Sequence, residues 1–409
     1  MKRHVSFLSA LLLMAVLMMP AAPDAHAAEA SSSYVTGEVI VKFKDDVNKS
    51  EKASINGEMD AKTVSHNEQI GFDVVEVDGP VEEAIEEYNE NSDVEFAEPN
   101  YIAEAYFEPN DPEYSKQYAL QIVEAPKAWD VTKGSQDVKV AILDTGVDYN
   151  HEDLAGKVEK GGDYIDNDQD PMDEQGHGTH CAGIAAAATD NGIGIAGMAP
   201  DVTIYAVRVL DANGSGSYDA IAKGIIDAAD AGSDVISMSL GGSQGSRTLE
   251  EAVNYAHEQG SVVVAAAGNS STNAPSYPAY YENAIAVAAT DENDRLANFS
   301  NYGDWVDVAA PGVNILSTMP NNQYQNQSGT SMATPYVAGL AGLIASQGKS
   351  GDEIREAIES SADKIDGTGS NFTHGRINAA KAVETVPEID PENTKSTSGS
   401  FWDWFTSLF

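Results

Sequence analysis

Short apolar runs alternate with helical patterns over most of the chain, from residue 110 onward. The helical patterns have apolar positions at a period near 3.6, as in residues 218–229 and 248–257. The apolar runs between them predict buried strands at 138–143, 202–207, 235–238, 262–267 and 284–288. Continuous apolar strands separated by helices indicate a parallel sheet with helices on both faces. We therefore predict a three-layer α/β domain, with functional groups beyond the carboxyl ends of its strands.

A smaller segment, residues 34–105, precedes this domain and has a different pattern. Alternating apolar and polar positions, and one stretch with the helical period, predict strands at 37–44 and 72–77, a helix at 81–88 and a last strand near 94–96. The segment therefore predicts a small α+β unit. Eight acidic side chains and no basic one lie between Glu82 and Glu98, so the isolated unit repels itself unless it docks on a partner.

Both ends of the chain differ from these two units. Basic residues at 2–4, an apolar run at 10–19 and a small-x-small site at 25–27 predict a bacterial-type secretory signal in residues 1–27, and hence a secreted protein. A short membrane anchor is the alternative, but the run is shorter than a spanning helix. The composition of residues 386–409 predicts a flexible linker, followed by an aromatic tip. The tip could pack on the protein, contact a membrane interface or be removed.

The charge balance excludes two classes of partner. The 409 residues include 65 Asp and Glu against 23 Lys and Arg, which gives a formal net charge of −42. Nucleic acids and anionic membranes would be repelled by such a surface. The acidity fits adaptation to salt, to alkaline pH or to calcium, and does not distinguish them. Cys181 is the only cysteine, so no disulfide within the chain contributes to stability.

Three polar residues lie at the ends of predicted elements in the larger domain. Asp144 ends the first strand, His177 opens an alanine-rich helix, and Ser331 precedes an apolar helical run. Singly, they have ordinary explanations as a strand-end cap, a satisfied histidine and a helix N-cap. Together, an Asp, a His and a Ser in one α/β domain can form a charge-relay site. Pro335 is expected within the first turn of the last helix, where its missing N–H is tolerated.

The motifs around these residues resemble the signatures of the subtilisin-like serine proteases. They are Asp-Thr-Gly at 144–146, His-Gly-Thr-His at 177–180 and Gly-Thr-Ser-Met-Ala-Thr-Pro at 329–335. Their chain order is typical of this family, and Cys181 beside the second motif resembles the thermitase branch. The likeness extends over residues 109–383. It implies a subtilisin-like α/β catalytic domain with a three-layer, parallel-sheet fold, and a serine endopeptidase activity.

The resemblance implies a role for each residue of this site. Ser331 is expected to be the nucleophile, His177 the base, and Asp144 the residue that orients His177. Asn269, in an Ala-Ala-Gly-Asn segment, resembles the family's oxyanion residue and should donate to the oxyanion together with the Ser331 backbone N–H. Cys181 falls one helical turn after His177, and is expected to be buried core and not a nucleophile.

A cleft in which substrate adds as an extended strand is also implied. Its two edges and its primary pocket are predicted to comprise Gly214, Ser215, Gly216, Ser239, Leu240, Gly241, Gly268 and Ser276. Ser276 occupies a position where the better-known subtilisins have glycine, so it narrows or polarises the pocket. We expect a broad specificity with a preference for large apolar side chains. Dibasic specificity is not expected, because no acidic cluster lies near these segments.

Calcium is the metal that the resemblance implies. The first site is predicted from the side chains of Asp111, Asp153 and Asn191 and the carbonyl oxygens of Ala188, Ile193 and Ile195. Oxygen ligands of this kind suit Ca²⁺ and not zinc. A second site is predicted from Asp163, Asp166, Asp168 and Asp170. An acidic loop of this kind is equally explained as solvated surface.

The resemblance also implies a precursor. Residues 28–105 are expected to be a pro-region with a ferredoxin-like prodomain that assists folding and inhibits the enzyme, and 106–385 the catalytic domain. The enzyme is expected to cut near the Ala105–Tyr106 junction, to act as a monomer on proteins and peptides, and not to insert stably into membranes. An ordinary accessory domain is the alternative for the first unit. For the whole chain, the alternatives are a catalytically silent calcium-binding surface protein and a carrier of an inhibitor domain.

Overall fold

The computed structural model describes residues 34–102 and 107–384. The predicted secretory signal, the Ala105–Tyr106 junction, and the C-terminal linker and aromatic tip lie outside the described residues. The chain forms two compact units, Met1–Ala105 and Tyr106–Phe409. Within the described part of the chain, none of the helices has the length and apolar character needed to cross a bilayer.

The N-terminal unit is a four-stranded antiparallel sheet with two helices. Its elements are β1 (Tyr34–Phe43), α1 (Lys49–Glu58), β2 (Lys62–Asn67), β3 (Phe72–Glu76), α2 (Val81–Glu90) and β4 (Val94–Tyr101). The strand order is β2-β3-β1-β4, the order of a split βαβ, ferredoxin-like fold. A small core that includes Val39, Val41, Val75 and Tyr88 is buried in it. The predicted α+β class is confirmed.

Two elements of this unit, α1 and β2, were not predicted. Only Ile55 and Asn56 of α1 are buried, so the helix lacks a strong apolar period. The side chains of β2 are exposed except at its last residue, so it lacks the alternation of a half-buried strand. One signal was present: the Asn48 side chain accepts from the Glu51 N–H while the Glu51 carboxylate accepts from the Asn48 N–H, a capping box that starts α1.

The C-terminal unit is built on one parallel sheet. Its strands are β5 (Lys139–Asp144), β6 (Val158–Asp163), β7 (Thr203–Arg208), β8 (Val235–Met238), β9 (Val262–Ala266), β10 (Ala284–Thr290), β11 (Val308–Pro311) and, after a hairpin of β12 (Ile315–Met319) and β13 (Gln323–Gln327), β14 (Gly375–Arg376). The order in the sheet is β14-β11-β10-β9-β8-β5-β7-β6, and the paired strands are parallel. The five predicted strands are β5, β7, β8, β9 and β10, which are adjacent in the sheet.

Helices cover both faces of this sheet. They are α3 (Tyr118–Ile122), α4 (Ala125–Val131), α5 (His177–Ala186), α6 (Tyr218–Asp230), α7 (Arg247–Glu258), α8 (Thr330–Ala345), α9 (Gly351–Ser361) and α10 (Ala379–Glu384). Alternate residues of β5 belong to opposite cores: Val140 and Ile142 pack with α5 and α8, whereas Ala141 and Leu143 pack with α6 and α7. Since both faces are buried, the predicted three-layer class is confirmed.

The hairpin β12–β13 anchors helix α5. Ser317 Oγ donates to the His180 carbonyl at 2.7 Å, and Thr318 Oγ1 donates to the Thr179 carbonyl at 2.8 Å. Helix α5 and strand β12 can approach closely because residue 183 of α5 is glycine. A Cβ at Gly183 would lie 2.2 Å from Thr318 Oγ1. The His180 ring, which is fully buried, lies 2.9 Å from the Gln325 carbonyl through Nε2. These contacts fix the helix that begins at His177.

The buried His180 predicts a pH dependence of stability. Burial lowers the pKa of His180 to about 4, whereas an imidazole in an unfolded chain has a pKa near 6.5. Between these values the unfolded state binds more protons, so the free energy of unfolding should fall as the pH drops from about 6.5 to about 4, by at most about 3 kcal/mol. We would measure denaturant unfolding across this range in a Ser331→Ala chain, which excludes self-digestion.

The contribution of His180 is isolated by its replacement. In a His180→Gln, Ser331→Ala chain the loss of stability towards low pH should be smaller, because glutamine keeps a donor for the Gln325 carbonyl but does not titrate. Equal pH dependence in the two chains would show that the neutral state of His180 is not its cause.

Candidate active site

Asp144 and His177 meet where β5 ends and α5 begins. Asp144 is 1% exposed, and its Oδ1 accepts from the Thr145 N–H and lies 2.7 Å from His177 Nδ1. The helix can start this close to the strand because residue 178 is glycine. A Cβ on Gly178 would lie 2.1 Å from the Gly146 carbonyl oxygen. The fold thus supplies a buried carboxylate that fixes the imidazole ring and its tautomer.

The electrostatics of this pair favour a basic imidazole. Burial acts to lower the pKa of His177, but the neighbouring Asp144 carboxylate outweighs it and the pKa is raised well above its ordinary value. His177 therefore binds a proton more tightly than a free imidazole does. The Asp144 carboxylate would stabilise the imidazolium that forms if His177 acts as a base.

Cys181 lies next to this pair and is 1% exposed. Its Sγ is 4.0 Å from His177 Nδ1 and donates to the Ser331 carbonyl at 3.4 Å. Burial raises the pKa of the thiol, so it is neutral at neutral pH. Among the described residues, Asp144, His177 and Cys181 are the only three His, Cys, Asp or Glu residues whose ligand atoms all lie within 4.8 Å of one another. The thiol is part of the packing, as expected.

Ser331 is the second residue of α8. The residue at the N-cap is Gly329, so the N-cap explanation for Ser331 is wrong. The Ser331 hydroxyl donates to the Ser239 carbonyl at 3.1 Å, and in return Ser239 Oγ donates to the Ser331 carbonyl at 2.8 Å. To donate to the imidazole, the hydroxyl must rotate away from Ser239. Hydrogen bonds between catalytic groups are often absent or long before substrate binds, and they form or shorten in the complex.

Pro335 departs from the prediction. The helix begins at Thr330, so Pro335 is its sixth residue and lies beyond the first turn. Proline cannot donate to the carbonyl four residues earlier, which is that of Ser331. That carbonyl instead accepts from Ser239 Oγ and Cys181 Sγ. Two side chains from other elements thereby replace the missing helical hydrogen bond.

Two N–H donors converge beside Ser331. Asn269 Oδ1 accepts from the Thr330 N–H at 2.8 Å and from Thr330 Oγ1 at 3.0 Å, which turns the amide nitrogen of Asn269 away from Thr330. A Cβ built on Gly329 would lie 3.4 Å from Asn269 Nδ2 and 3.5 Å from the Ser331 nitrogen. The space that glycine leaves open is therefore flanked by both donors. Such a pair is suited to stabilising an oxyanion.

The predicted cleft residues line two adjoining cavities, of about 350 Å³ and 420 Å³, which share the segment Ser239, Leu240 and Gly241. The first also contains Gly268, Asn269, Ser276 and Ser331, and the second contains His177, Gly214, Ser215 and Gly216. Ser276 Oγ lies 2.9 Å from where a Cβ on Gly241 would be. The hydroxyl therefore faces the segment at which the two cavities meet.

Sequence reasoning missed several residues of this cleft. Gln175, Leu210, Tyr218 and Ile221 line the second cavity, and Asn301 lines the first. Of these, only Gln175 lies next to one of the sequence motifs, two residues before His177. The Gln175 side chain accepts from the His177 N–H at 2.8 Å. The others lie on elements whose contact with the cleft depends on the tertiary fold.

Two buried carboxylates lie against the loop at 188–195. Asp111 is 4% exposed and accepts from the Asp190 and Asn191 N–H groups. Asp153 is fully buried and accepts from Asn191 Nδ2 at 2.8 Å and from the Ile195 N–H at 2.9 Å. Burial raises the pKa of both carboxyls. In the described residues neither has an ion-pair partner, so this part of the fold fits a cation held by oxygen atoms.

The remaining predicted ligands belong to the same loop. The Ala188 N–H donates to the Asp153 carbonyl at 2.9 Å, and the Ile193 N–H donates to the Asn191 side-chain oxygen at 2.7 Å. Gly194 lets the loop pass close to the carboxylate, since a Cβ there would lie 2.4 Å from Asp153 Oδ2. The structure thus brings the Asp111, Asp153 and Asn191 side chains to one loop, on which Ala188, Ile193 and Ile195 also lie.

The second predicted cation site comprises Asp163, Asp166, Asp168 and Asp170. Arg208, which is 4% exposed, donates to the first two carboxylates at 2.9 Å each. Lys160 donates to the last at 3.0 Å. These two basic side chains pair with three of the four carboxylates, and the four are not a cluster of ligand atoms within 4.8 Å of one another in the described residues. The site stays a prediction.

Known proteins resemble the chain over both units. A sequence profile described as the subtilase family matches residues 135–376, and one described as the fervidolysin N-terminal prodomain matches residues 20–100. The thermophilic serine proteinase of Bacillus sp. (strain AK1) is 57% identical over 354 residues, which are 86% of this chain and 88% of that protein. Thermitase of Thermoactinomyces vulgaris is 61% identical over 279 residues, which are 68% of this chain and 100% of thermitase.

A solved structure has the same fold. A protease from Pseudoalteromonas arctica PAMC 21717 superposes with a TM-score of 0.62 at 35% sequence identity. The match covers 68% of this chain and 99% of that one.

The raised pKa of His177 predicts how the reactivity of Ser331 depends on pH. The imidazole must be neutral to accept the hydroxyl proton, so labelling of Ser331 by a serine-directed phosphonate should slow as the pH falls below the pKa of His177. Replacing Asp144 by Asn removes the charge that raises this pKa. We expect Asp144→Asn to slow labelling by about 10⁴-fold, as the same change does in an unrelated serine protease, and to shift the acid limb of the residual rate to lower pH.

Mass spectrometry of the labelled protein measures both effects. Asp137→Asn, a surface Asp-to-Asn change outside the site, is the matched control and should leave the rate unchanged. An unshifted acid limb in Asp144→Asn would contradict the electrostatic role of this carboxylate.

Proposed function

Because the chain belongs to the subtilase family, as a relative of thermitase, we propose that Asp144, His177 and Ser331 carry out the peptide-bond hydrolysis of this family. Members of the family are serine endopeptidases that use a Ser-His-Asp mechanism, and this chain is such an enzyme. The observation that supports these residues is their convergence. Asp144 and His177 are in contact at 2.7 Å, and Cys181 Sγ contacts both the His177 ring and the Ser331 carbonyl. Two N–H donors flank the space at Gly329.

The proposed mechanism assigns one step to each group. Ser331 Oγ attacks the scissile carbonyl carbon and gives its proton to His177 Nε2, while Asp144 holds the Nδ1 proton and stabilises the imidazolium. The oxyanion of the tetrahedral intermediate accepts from Asn269 Nδ2 and from the Ser331 N–H. His177 then protonates the leaving amine, which leaves an acyl-enzyme. A water molecule, deprotonated by His177, hydrolyses the ester and restores Ser331.

A substrate chain is proposed to add between the segments 214–216 and 239–241. Both segments line the cavities next to His177 and Ser331, and extended backbone suits an unpaired strand edge. The cavity of about 350 Å³ is large enough for an apolar or aromatic side chain, and the Ser276 hydroxyl adds a polar atom to its wall. We propose a broad specificity with a preference for large apolar residues before the cleaved bond.

The first unit is proposed to be a prodomain that assists folding and inhibits the enzyme. Its support is the match of residues 20–100 to the fervidolysin N-terminal prodomain, together with the ferredoxin-like fold. A secreted precursor fits the predicted signal in residues 1–27. We propose that the enzyme cuts its own chain near the Ala105–Tyr106 junction after folding.

Replacing the nucleophile tests the activity and the processing together. Wild-type chain, expressed in a protease-free preparation, should cleave a peptide library after large apolar residues and release its N-terminal unit. Ser331→Ala should do neither, because no other group can form the acyl-enzyme. Mass spectrometry identifies the cleaved bonds and the new N-terminus. Release of the mature N-terminus from Ser331→Ala would contradict self-processing, and library cleavage by that variant would contradict the assigned nucleophile.

Calcium is proposed to bind at Asp111 and Asp153. Bound there, the ion would be held by these carboxylates, the Asn191 side chain and the carbonyls of Ala188, Ile193 and Ile195. It would neutralise two buried charges with which no basic side chain of the described residues pairs. Its effect would be on stability, since the loop lies outside the triad. Arg208 and Lys160 already neutralise carboxylates at the second predicted site, so the first site has the better support.

Calcium removal should lower the thermal stability. In a Ser331→Ala chain, a ligand present at a hundred times its dissociation constant adds about 2.7 kcal/mol, which corresponds to a shift of roughly 5–10 °C for a domain of this size. Differential scanning calorimetry with calcium and with a chelator measures the shift. Asp153→Asn should abolish it, whereas Asp219→Asn, on the exposed face of α6, should retain it. A chelator effect that persists unchanged in Asp153→Asn would rule out this site.

A further inference from the structure

Asn301 lies beside the candidate active site, in the chain between β10 and β11. Its side chain is 4% exposed and forms part of the wall of the 350 Å³ cavity. A carboxamide is rarely buried unless its polar atoms are hydrogen-bonded. The partners of Asn301 therefore indicate what its burial achieves.

All the hydrogen bonds of this side chain go to one loop. Residues 267–272, which we call the oxyanion loop, follow β9 and contain Asn269. Asn301 Oδ1 accepts from the Ser270 N–H at 2.9 Å and from the Thr272 N–H at 3.4 Å, and Nδ2 donates to the Ala267 carbonyl at 2.8 Å. The Asn301 backbone N–H donates to the Gly268 carbonyl at 2.8 Å. One residue thus bonds the loop on both sides of Asn269.

The oxyanion loop needs such support because it combines a glycine in a conformation closed to other residues with one strained residue, Ser271. Gly268 has φ +104°, and a Cβ there would lie 2.6 Å from Asn301 Nδ2. Ser271 has φ +52°, a left-handed conformation that is unfavourable for a residue other than glycine. Backbone of this kind persists only where the surroundings hold it. Asn301 supplies three side-chain bonds and one backbone bond for that purpose.

The loop is held from its other side by Thr330. Thr330 Oγ1 accepts from the Gly268 N–H at 3.1 Å, and Thr330 contacts the Asn269 side-chain oxygen. The two residues have different tasks: Thr330 sets how the Asn269 amide is turned, and Asn301 sets where its backbone lies. Both must be correct for Nδ2 to point at the space beside Ser331.

We propose that Asn301 is a positioning residue for catalysis: it holds the backbone of the oxyanion loop so that Asn269 meets the developing negative charge. The proposal rests on the assignment of Asn269 as an oxyanion donor made above. The donor acts on the transition state more than on bound substrate, so loss of its position lowers kcat and affects KM little. A displacement of about 1 Å is sufficient for a large effect.

A double-mutant cycle tests this proposal. Asn269→Ala should lower kcat by about 10² to 10³-fold, a magnitude known from subtilisin. Asn301→Ala should lower kcat by at least about tenfold and change KM by less than about twofold. In the Asn269→Ala background, Asn301→Ala should cost less than about twofold, because the donor it positions is already gone. Titration with a serine-directed phosphonate counts folded active sites, so the rates are per functional enzyme.

A matched control separates positioning from general damage. Asn254→Ala removes a carboxamide on α7 that accepts from Asn283 Nδ2, and it should leave kcat unchanged. If Asn301→Ala does not fold, Asn301→Ser, which keeps one hydroxyl acceptor, takes its place in the same cycle.

Three outcomes would overturn the proposal. Equal losses from Asn301→Ala with and without Asn269 would show a role independent of that donor. A raised KM with unchanged kcat would show that Asn301 only shapes the pocket. An unchanged kcat in Asn269→Ala alone would remove the oxyanion assignment itself, and the inference with it; the single variant distinguishes this failure from the other two.

Discussion

The hydrogen bond between the Asp144 carboxylate and the His177 ring is the interaction on which the site depends. A carboxylate that is 1% exposed needs donors that the fold must supply, and the Thr145 N–H and the imidazole provide them for Oδ1. To bring the imidazole there, α5 has to begin at the very end of β5, which Gly178 permits. The hairpin β12–β13 then holds α5 through bonds to the carbonyls of Thr179 and His180. The orientation of one ring is thus built into the sheet, a helix and a hairpin.

Carboxylates in the interior of this acidic protein are neutralised in different ways. Near the sheet, basic side chains pair with a buried carboxylate and with a half-buried one: Arg208 with Asp163, and Arg355 with Asp307. Burying such a pair is costly, and leaving one partner alone would cost more. Asp111 and Asp153 are the contrast, since they lie close to each other without a basic partner among the described residues. A bound cation would neutralise these two carboxylates as arginine neutralises the others. This contrast supports a calcium site more strongly than the net charge of the protein does.

Much of the fold and the site could be predicted because the relevant signals are local. The strands β5, β7, β8, β9 and β10 are apolar on both faces, and the triad lies in motifs whose residues are contiguous. Edge strand β6 was missed because its sequence, Val-Glu-Lys-Gly-Gly-Asp, is half exposed and lacks an apolar run.

Other features could not be predicted because their partners are distant in sequence. Asn301 acts on a loop about thirty positions earlier, and no pattern in its own neighbourhood indicates that contact. Pro335 was misplaced for the same reason. The rule that confines proline to the first turn of a helix considers backbone hydrogen bonds alone. The Ser331 carbonyl instead accepts from two side chains, Ser239 just after β8 and Cys181 on α5.

These contacts connect the nucleophile to the substrate cleft. Ser239 accepts from the Ser331 hydroxyl through its carbonyl and donates to the Ser331 carbonyl through its own hydroxyl, so the two residues form a reciprocal pair. The second bond reaches a carbonyl that Pro335 leaves without its helical donor. Ser239 also begins the segment along which we propose that substrate adds. A chain bound to that segment would therefore lie against the residue whose carbonyl accepts from the Ser331 hydroxyl.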